Sequence, residues 1–465
     1  MLHLSHKSIP ASQPAPMLQQ ALVSYTVPWD DIPLLDFLRL GHNAPRVYWE
    51  TGKSPLAMAG FGRAAVISAH STDRFQSIRR QADRLFEQLV VIADPAVPQE
   101  IGPKLFGGFA FNAGSGGTGA WSAFPAASFV LPQVQLTRWH GRSWLTLNTH
   151  FAPTLGRRDL LAQLRREIEA LLSASAAGET APPDLLATTS LTGHDTWCDM
   201  VSNATRRIRD GELDKVVLAR ARRMQFNRAP EPVDILTRLS HRYPDTYRFL
   251  FEPVPGHAFY GATPELLAAV DDCKVHTVAM AGSIARGQTP AEDDELGRQL
   301  LNNPKERHEH ALVVDAIREN LGQLTATLSI PDQPALCKLS NIQHLETKIE
   351  GLLSQNCDIL AVVEGLHPTP AVGGRPRPLA LEIINQVEPM ARGWYAAPVG
   401  WLDDNRGGAF SVAIRSAVTV GSESLLFAGA GIVADSVPEN EWRETELKFR
   451  PLADALGGAS PNGRT

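Results

Sequence analysis

Two segments of the 465-residue chain each carry a pair of glutamates three positions apart. Glu306 and Glu309 form the first pair, and Glu441 and Glu444 form the second. Residues three apart on a helix share a face, so each helix would present two carboxylates together. Each pair has a simpler explanation, as acids that complement a helix dipole or as part of a solvated, ion-paired face. The repetition favours a second interpretation, in which the two faces meet and form an oxygen-only site suited to Mg²⁺.

The residues around the first pair favour a helix start and exclude two familiar metal sites. Asn303 is a good N-cap residue, and Pro304 suits the first helical position. The run His308-Glu309-His310 lacks the HExxH spacing of a zinc protease. Neither glutamate segment supplies the ExxH pair of a di-iron bundle.

Three basic residues and several glycine-rich turns could complement these acids. Lys215 begins an apolar run, where loss of hydration could make it a base, although a lysine that snorkels to water is the default explanation. Arg415 and Lys448 could pair with substrate carboxylates, although a lone arginine on a strand usually forms a surface ion pair. Glycine-rich turns let backbone N–H groups approach an anion, but each is weak evidence alone. The turns are at 281–283, 373–374 and 428–431.

The elements that must position these residues are strands and amphipathic helices. Strand-like runs outnumber helices in both halves and follow one another without intervening helices, which predicts an α+β fold with layered antiparallel sheets. Helices are predicted at 72–92, 157–175, 194–211, 303–324, 377–392 and 438–456. Strands are predicted at 46–50, 64–69, 106–112, 128–139, 143–148, 215–226, 247–252, 257–262, 266–270, 274–280, 410–419 and 424–432.

Composition shifts divide the chain into five stretches. Residues 1–25 are rich in Ser, Pro and Gln and are expected to form a loose arm, and residues 459–465 a short tail. Residues 173–190 are small and contain Pro, which indicates a linker. It would join a variable N-terminal half of the fold, 26–172, to a catalytic region, 191–458.

The bulk composition excludes several classes of protein. The formal net charge of −6 leaves no basic excess for binding nucleic acid. The four cysteines are far apart and show neither a disulfide framework nor zinc spacing, which favours a reducing cytoplasm. The N-terminus lacks the apolar stretch of a signal peptide, and no run approaches about 18 apolar residues, so no membrane span is expected.

Taken in order, the motifs resemble the chorismate-utilising enzymes, and among them the isochorismate synthase branch. The resemblance spans about residues 214–448, whereas residues 1–190 match weakly. The segments that carry it are DKVVLAR (214–220), FYGATPELL (259–267), HTVAMAGSIARG (276–287), PKERHEHALVVDAI (304–317), QHLETKIEG (343–351), LHPTPAVGG (366–374), RGWYAAPVGW (392–401), FSVAIRSA (410–417), AGAGIV (428–433) and ENEWRETELK (439–448).

The resemblance implies a fold like that of anthranilate synthase component I, and an activity. It implies that Lys215 is the base that activates water for attack at C2 of chorismate. Glu265 would be the acid that protonates the departing C4 hydroxyl, and Mg²⁺ would be the cofactor. The implied metal ligands are Glu309 and Glu444, with Glu306 and Glu441 acting through water. The implied substrate-binding residues are Thr277, Ala281, Gly282, His344, Ala371, Tyr395, Arg415, Gly429, Gly431 and Lys448.

Three positions select among the branches of the family. Aminodeoxychorismate synthases carry a nucleophilic lysine where this chain has Ala281, and anthranilate synthases generally lack the base matched by Lys215. Salicylate synthases carry Thr at the position of Ala371. Ser283 and Ala409 depart mildly from the usual pattern. The resemblance therefore favours isochorismate formation, feeding menaquinone, salicylate or siderophore synthesis, by a cytoplasmic monomer whose one partner is chorismate. A salicylate synthase and an inactive chorismate-binding subunit are the alternatives.

Overall fold

A computed structural model describes residues 21–30, 32–98, 100–114, 116–151, 157–172, 178, 181–338 and 342–457 of the chain. The described helices are α1 (Leu34–Leu40), α2 (Arg74–Gln88), α3 (Arg157–Leu172), α4 (His194–Arg209), α5 (Pro232–Arg242), α6 (Pro290–Asn302), α7 (Pro304–Gly322), α8 (Ile359–Leu366), α9 (Arg377–Val387) and α10 (Pro438–Ala455). Within these residues, no helix combines the length and apolar content that crossing a bilayer requires.

The strands of the N-terminal part are β1 (Ala21–Trp29), β2 (Arg46–Thr51), β3 (Leu56–Phe61), β4 (Ala65–Ala69), β5 (Val90–Ala93), β6 (Lys104–Phe109), β7 (Ala127–Leu131), β8 (Val134–Trp139) and β9 (Arg142–Phe151). The later strands are β10 (Leu185–Ser190), β11 (Lys215–Phe226), β12 (Tyr247–Val254), β13 (His257–Thr263), β14 (Leu266–Asp271), β15 (Lys274–Ala285), β16 (Thr325–Ser329), β17 (Ala335–Lys338), β18 (Ile342–Leu353), β19 (Gly374–Arg375), β20 (Pro398–Asp403), β21 (Gly408–Val412), β22 (Ser416–Val420) and β23 (Glu423–Ile432).

These strands form two large sheets, and each sheet contains strands from both parts of the chain. The larger sheet runs β10-β11-β23-β22-β13-β12-β2-β3-β8-β9-β1-β5, with β19 beside β11. The smaller runs β16-β18-β15-β14-β21-β20-β6-β7-β4, with β17 beside β18. The β2–β12 and β6–β20 pairs join the N-terminal part to the rest, and β1–β5 is parallel whereas the other pairs described are antiparallel. The expected layered α+β fold is therefore present.

Alternation along the strands explains how the layers pack. On β12, Phe249 and Phe251 belong to an apolar cluster that contains residues of both sheets. Leu250 points the other way, into a cluster that the larger sheet shares with helices α1, α3, α5 and α10. Because successive side chains on a strand face opposite ways, one sheet faces the other sheet on one side and helices on the other.

Three predicted boundaries are corrected by the strand pairing. Residues 21–25 lie in β1, which pairs with β9, so the expected loose arm is wrong for these residues, while residues 1–20 and the tail lie outside the described residues. The end of the expected linker, 185–190, is β10, paired with β11. The helix expected over 72–92 ends at Gln88 and is followed by β5. In each case, backbone pairing with a strand distant in sequence outweighs local composition.

Candidate functional site

Lys215 opens β11 and its side chain is almost completely buried, with 1% exposed. Its Nζ lies 2.7 Å from Oε1 of Glu309 on α7. Gly431, on the neighbouring strand β23, leaves the space that this pair needs. A Cβ at Gly431 would lie 3.0 Å from both Glu309 Oε1 and Lys215 Cε. The glycine-rich turn therefore gives room to side chains, in addition to any role of its N–H groups.

The start of α7 sets the positions of the first glutamate pair. The Asn303 side chain accepts hydrogen bonds from the N–H groups of Lys305 and Glu306, so the predicted N-cap is confirmed. Glu306 Oε2 in turn accepts the N–H of Ser283 at 3.0 Å. Gly282 has φ +77°, in the left-handed region, and a Cβ there would lie 3.2 Å from Glu306 Cβ. A glycine is required at this close approach of the turn to the helix.

The second glutamate pair lies on α10 beside Lys448. Lys448 Nζ is 2.5 Å from Glu444 Oε1 and donates to the carbonyl oxygen of Gly429 at 2.8 Å. These two side chains form an i,i+4 ion pair that faces a cavity and not bulk solvent. Glu441, one helical turn before, is 5% exposed.

Arg220 holds α10 in the orientation that directs these residues inward. It lies on β11, on the same strand as Lys215, and is fully buried. Its guanidinium is 3.5 Å from the centroid of the Trp442 ring, and its Nε donates to Thr445 Oγ1 at 2.8 Å. It also pairs with Glu446. These contacts use one face of the helix, so the face with Glu441, Glu444 and Lys448 is left for the cavity.

The four glutamates are close enough to affect one another's ionisation. Burial, with repulsion from Glu309 and Glu444, raises the pKa of Glu306. Burial and the neighbouring Glu444 raise the pKa of Glu441 to about 7. Burial also disfavours the charged form of Glu444, but Lys448, together with a hydrogen bond from Glu441 and the charge of Arg415, outweighs burial and lowers the pKa of Glu444. The cluster therefore concentrates negative charge that two lysines only partly balance.

The donor set of this cluster suits a hard divalent cation. All four side chains offer carboxylate oxygens and line one cavity, and their mutual repulsion would be relieved by a cation. Within the described ranges, no three acidic, His or Cys side chains already form a metal-binding group. Glu309 and Glu444 instead contact Lys215 and Lys448. The four carboxylates are thus chemically suited to bind a divalent cation. In this structure, Lys215 and Lys448 supply the positive charge beside Glu309 and Glu444.

Glu265 lies between β13 and β14 and is buried, with 6% exposed. Burial raises the pKa of its carboxyl to about 7, against the opposing influence of Lys215 and Arg415. Since an unperturbed Glu ionises near 4.5, this side chain retains a proton to much higher pH. It can therefore donate a proton near neutral pH.

Arg415 and Tyr395 supply positive charge and a phenol beside Glu265. Arg415 has φ +50°, and its guanidinium forms no ion pair with any residue in the described part of the chain. The Tyr395 ring stacks on Phe427 with centroids 5.0 Å apart, and burial raises the pKa of its hydroxyl to about 12. An unpaired guanidinium and a neutral phenol are suited to hold a carboxylate.

His344 is held as a neutral imidazole. Its Nδ1 lies 3.3 Å from the carbonyl oxygen of Gly282, and because a carbonyl only accepts, Nδ1 carries the hydrogen. Burial, then Arg415 and Lys448, lower the pKa of His344 to about 3. Nε2 is buried and has no hydrogen-bond partner among the described residues. It is therefore an acceptor available to a hydroxyl in the cavity, whose empty volume is about 1050 Å³.

Comparison with known proteins identifies the family. The model of the "Chorismate binding enzyme" family matches residues 11–457. The chain belongs to this family. Isochorismate synthase MenF of Bacillus subtilis is 34% identical, over 98% of this chain and 97% of its own length. The salicylate biosynthesis isochorismate synthase of Pseudomonas aeruginosa is 38% identical, over 92% of this chain and 86% of its own.

Two solved structures share the fold. MenF of Escherichia coli, described as a menaquinone-specific isochorismate synthase, superposes with a TM-score of 0.78 at 26% identity, over 94% of this chain and 96% of its own. Anthranilate synthase component I of Streptococcus pneumoniae superposes with a TM-score of 0.69 at 20% identity, over 96% and 94%. The predicted family and fold class are confirmed.

The structure brings fifteen of the sixteen predicted site residues of this chorismate-binding enzyme to one cavity. They are Lys215, Glu265, Ala281, Gly282, Glu306, Glu309, His344, Ala371, Tyr395, Arg415, Gly429, Gly431, Glu441, Glu444 and Lys448. Thr277 is not among the residues that line it, which corrects its assignment. Its hydroxyl donates to the Leu267 carbonyl oxygen at 2.5 Å, and it is roughly 13 Å before Ala281 along β15.

The cavity also contains residues that the sequence analysis left without a role. Ser283 departs mildly from the family pattern, yet its N–H donates a hydrogen bond to Glu306 Oε2. Lys305 lines the cavity, and its charge opposes, without cancelling, the rise that burial causes in the pKa values of Glu306 and Glu441. Arg392 lines it too, with its guanidinium bound to Glu388. For Lys305, the signal available in the sequence was its position beside Glu306, just after the N-cap, which places it near the predicted carboxylate cluster.

Proposed function

We propose that this chain converts chorismate to isochorismate. The observation that carries the proposal is the buried pair of Lys215 and Glu265 on one cavity, with Glu265 protonated near neutral pH. The named activity of the full-length relatives supports the same reaction. Those relatives include proteins named for different pathways at similar identity, so the proposal concerns the reaction and not the pathway it feeds.

The acid and base have complementary proton transfers to perform. Lys215 Nζ, acting as the base, accepts a proton from a water molecule as the water oxygen bonds to ring C2. The two conjugated ring double bonds both shift, which carries the electron pair to C4, the C4–O bond breaks, and Glu265 donates its proton to the departing hydroxyl, which leaves as water. One water enters and one leaves, so the net change is an isomerisation. The proton then returns from Lys215 to Glu265 to reset the pair.

The remaining cavity residues would bind and orient the substrate. The guanidinium of Arg415 and the hydroxyl of Tyr395 are donors for a carboxylate. The open acceptor at His344 Nε2 suits a substrate hydroxyl. Gly429 leaves the space beside the Tyr395 hydroxyl, because a Cβ there would lie 3.2 Å from that oxygen.

Mg²⁺ is the cofactor that the carboxylate cluster would hold. Glu309 and Glu444 are its proposed ligands, with Glu306 and Glu441 nearby through water. When bound there, a divalent cation would supply positive charge to offset a carboxylate of the substrate. The chain's own contribution is to hold the two helix faces together, through the Asn303 cap and the Arg220 contacts described above.

Product analysis tests the proposal directly. Purified protein is incubated with chorismate with Mg²⁺ or with EDTA, and products are separated by chromatography. Isochorismate formation in the Mg²⁺ sample alone is expected. Failure to form isochorismate with Mg²⁺ would refute the reaction, and equal turnover in EDTA would refute the metal. A coupled lactate dehydrogenase assay detects pyruvate, so stoichiometric pyruvate would identify salicylate formation instead.

A further inference from the structure

A second, larger cavity adjoins the one that holds Lys215 and Glu265. We call it the vestibule, and its empty volume, open to solvent, is about 1980 Å³. Five residues line both cavities, so the two are adjacent and share a wall. They are Pro264, Ser283, Arg415, Glu444 and Lys448. Anything that enters the inner cavity by this side must pass through the vestibule.

The lining of the vestibule is strongly cationic. It contains seven Arg and Lys side chains and only two carboxylates, Asp245 and Glu444. Some of the cations are neutralised by carboxylates behind the wall, as Lys338 is by Asp293 and Asp294. Arg415, Arg443 and Arg450 form no ion pair with any side chain in the described ranges. The vestibule therefore has positive charge available for an anion.

Two of these arginines are fixed by α10, the helix that carries Glu441 and Glu444. Arg443, Leu447 and Arg450 are at i, i+4 and i+7 on α10, and all three are exposed. They therefore share a face of the helix. The contacts of Arg220 with Trp442, described above, hold another face against β11. The two guanidinium groups thus project from a helix whose rotation is set.

The vestibule combines this charge with apolar side chains. Ile284, Ile342 and the exposed Leu447 line it together with the arginines. Inorganic anions gain nothing from apolar walls, whereas an organic acid can place its carbon skeleton there and its carboxylates on the arginines. The lining therefore suits a small organic dicarboxylate.

We propose that the vestibule is an outer binding site that captures the dicarboxylate substrate before it enters the inner cavity. The identity of that substrate as chorismate rests on the proposed function. A cationic cleft raises the local concentration of an anion and its association rate, by about 10- to 1000-fold in favourable cases. Arg443 and Arg450 act here through their charge and leave the chemical step to the inner cavity.

A double charge reversal, Arg443→Glu with Arg450→Glu, tests the site. At low salt we expect KM for chorismate to rise about tenfold or more while kcat stays within about twofold. The dependence of kcat/KM on ionic strength should become flatter, because the screened attraction has been removed. Calorimetric titration with chorismate should show weaker binding in the same variant.

Two controls separate charge in the vestibule from other effects. Arg84→Glu changes a cation on the exposed face of α2 that lines neither cavity, and it should leave KM and its salt dependence unchanged. The double variant Arg443→Lys with Arg450→Lys keeps both positive charges, so its KM for chorismate should stay close to the wild-type value. A double reversal that behaves like Arg84→Glu, or a lysine pair that is as impaired as the glutamate pair, would overturn the proposal. Wild-type protein that binds chorismate without turnover would refute the proposed function alone, and titration would still test the vestibule.

Discussion

The described residues before and after residue 178 contribute to this molecule in different ways. All the residues that line the inner cavity come from the later part, between Lys215 and Lys448. The earlier part contributes strands to both sheets and packs against the segment that carries Tyr395. Trp121 lies over Gly393, where a Cβ would come within 2.0 Å of the indole. The Phe111 N–H donates to the Gly393 carbonyl oxygen at 2.7 Å.

The later part of the chain therefore supplies the side chains proposed to act on the substrate, and the earlier part supplies packing that stabilises their positions. Charged groups that touch the substrate change the rate when they are altered, whereas buried apolar side chains at a distance mainly change stability. The earlier part of the chain can therefore differ in sequence from relatives while the cavity stays intact, provided that its strands and its contacts to residues 393–395 remain. Three substitutions test this division.

Lys215→Gln should have the largest effect on rate. The amide can still donate to Glu309, but it cannot accept the proton of the attacking water. We expect kcat to fall by about a thousandfold or more, while the protein stays folded with a lower melting temperature, because Glu309 loses its charged partner. Steady-state assays and thermal unfolding measure both. Retention of wild-type turnover by this variant would show that Lys215 is not the base.

Glu265→Gln should lower kcat by about 10²- to 10³-fold, since the amide cannot supply a proton to the leaving hydroxyl. In the wild type, kcat/KM should decline as pH rises through about 7, because Glu265 then loses its proton in the free enzyme. A wild-type profile that remains flat to well above neutral pH would argue against Glu265 as the acid.

The same group gives stability a pH dependence of known sign. The folded protein holds this proton up to about pH 7, whereas the unfolded chain releases it near 4.5. Between these values the native state binds more protons, so its unfolding free energy falls as pH rises, by roughly 3 kcal/mol in total. Glu265→Gln lacks this slope. The melting temperature of the variant relative to wild type should therefore increase from pH 5 to pH 8.

Trp121→Ala should have the smallest effect on rate and a large effect on stability. Removing this buried indole leaves a cavity and should lower the unfolding free energy by about 3–5 kcal/mol. With chorismate saturating, kcat should fall only severalfold, through looser placement of Tyr395. Trp139→Ala is a matched control, since Trp139 is on β8 and is only partly buried. If a folded Trp121→Ala protein lost as much turnover as Lys215→Gln, the earlier part of the chain would not serve mainly for stability, and the contrast between the two parts would be wrong.

Much of the site could be predicted because its residues lie in short, contiguous motifs. The Asn303 cap, the glutamate spacing on α7 and α10, and the strand that begins at Lys215 follow from local rules. Thr277 shows the limit, since it belongs to a matching segment but its hydroxyl is bound to Leu267 away from the cavity. Membership of a motif does not state which way each side chain points.

By itself, the sequence determined the family, the α+β class and most of the residues around the inner cavity. Only the tertiary structure decided that residues 185–190 form a strand, that Arg220 orients α10, and that Arg443 and Arg450 border a second cavity. The physical reason is the distance along the chain over which the interactions act. Caps and helix faces depend on neighbours within a few residues, whereas sheet pairing, burial and the pKa of Glu265 depend on residues brought together by the whole fold.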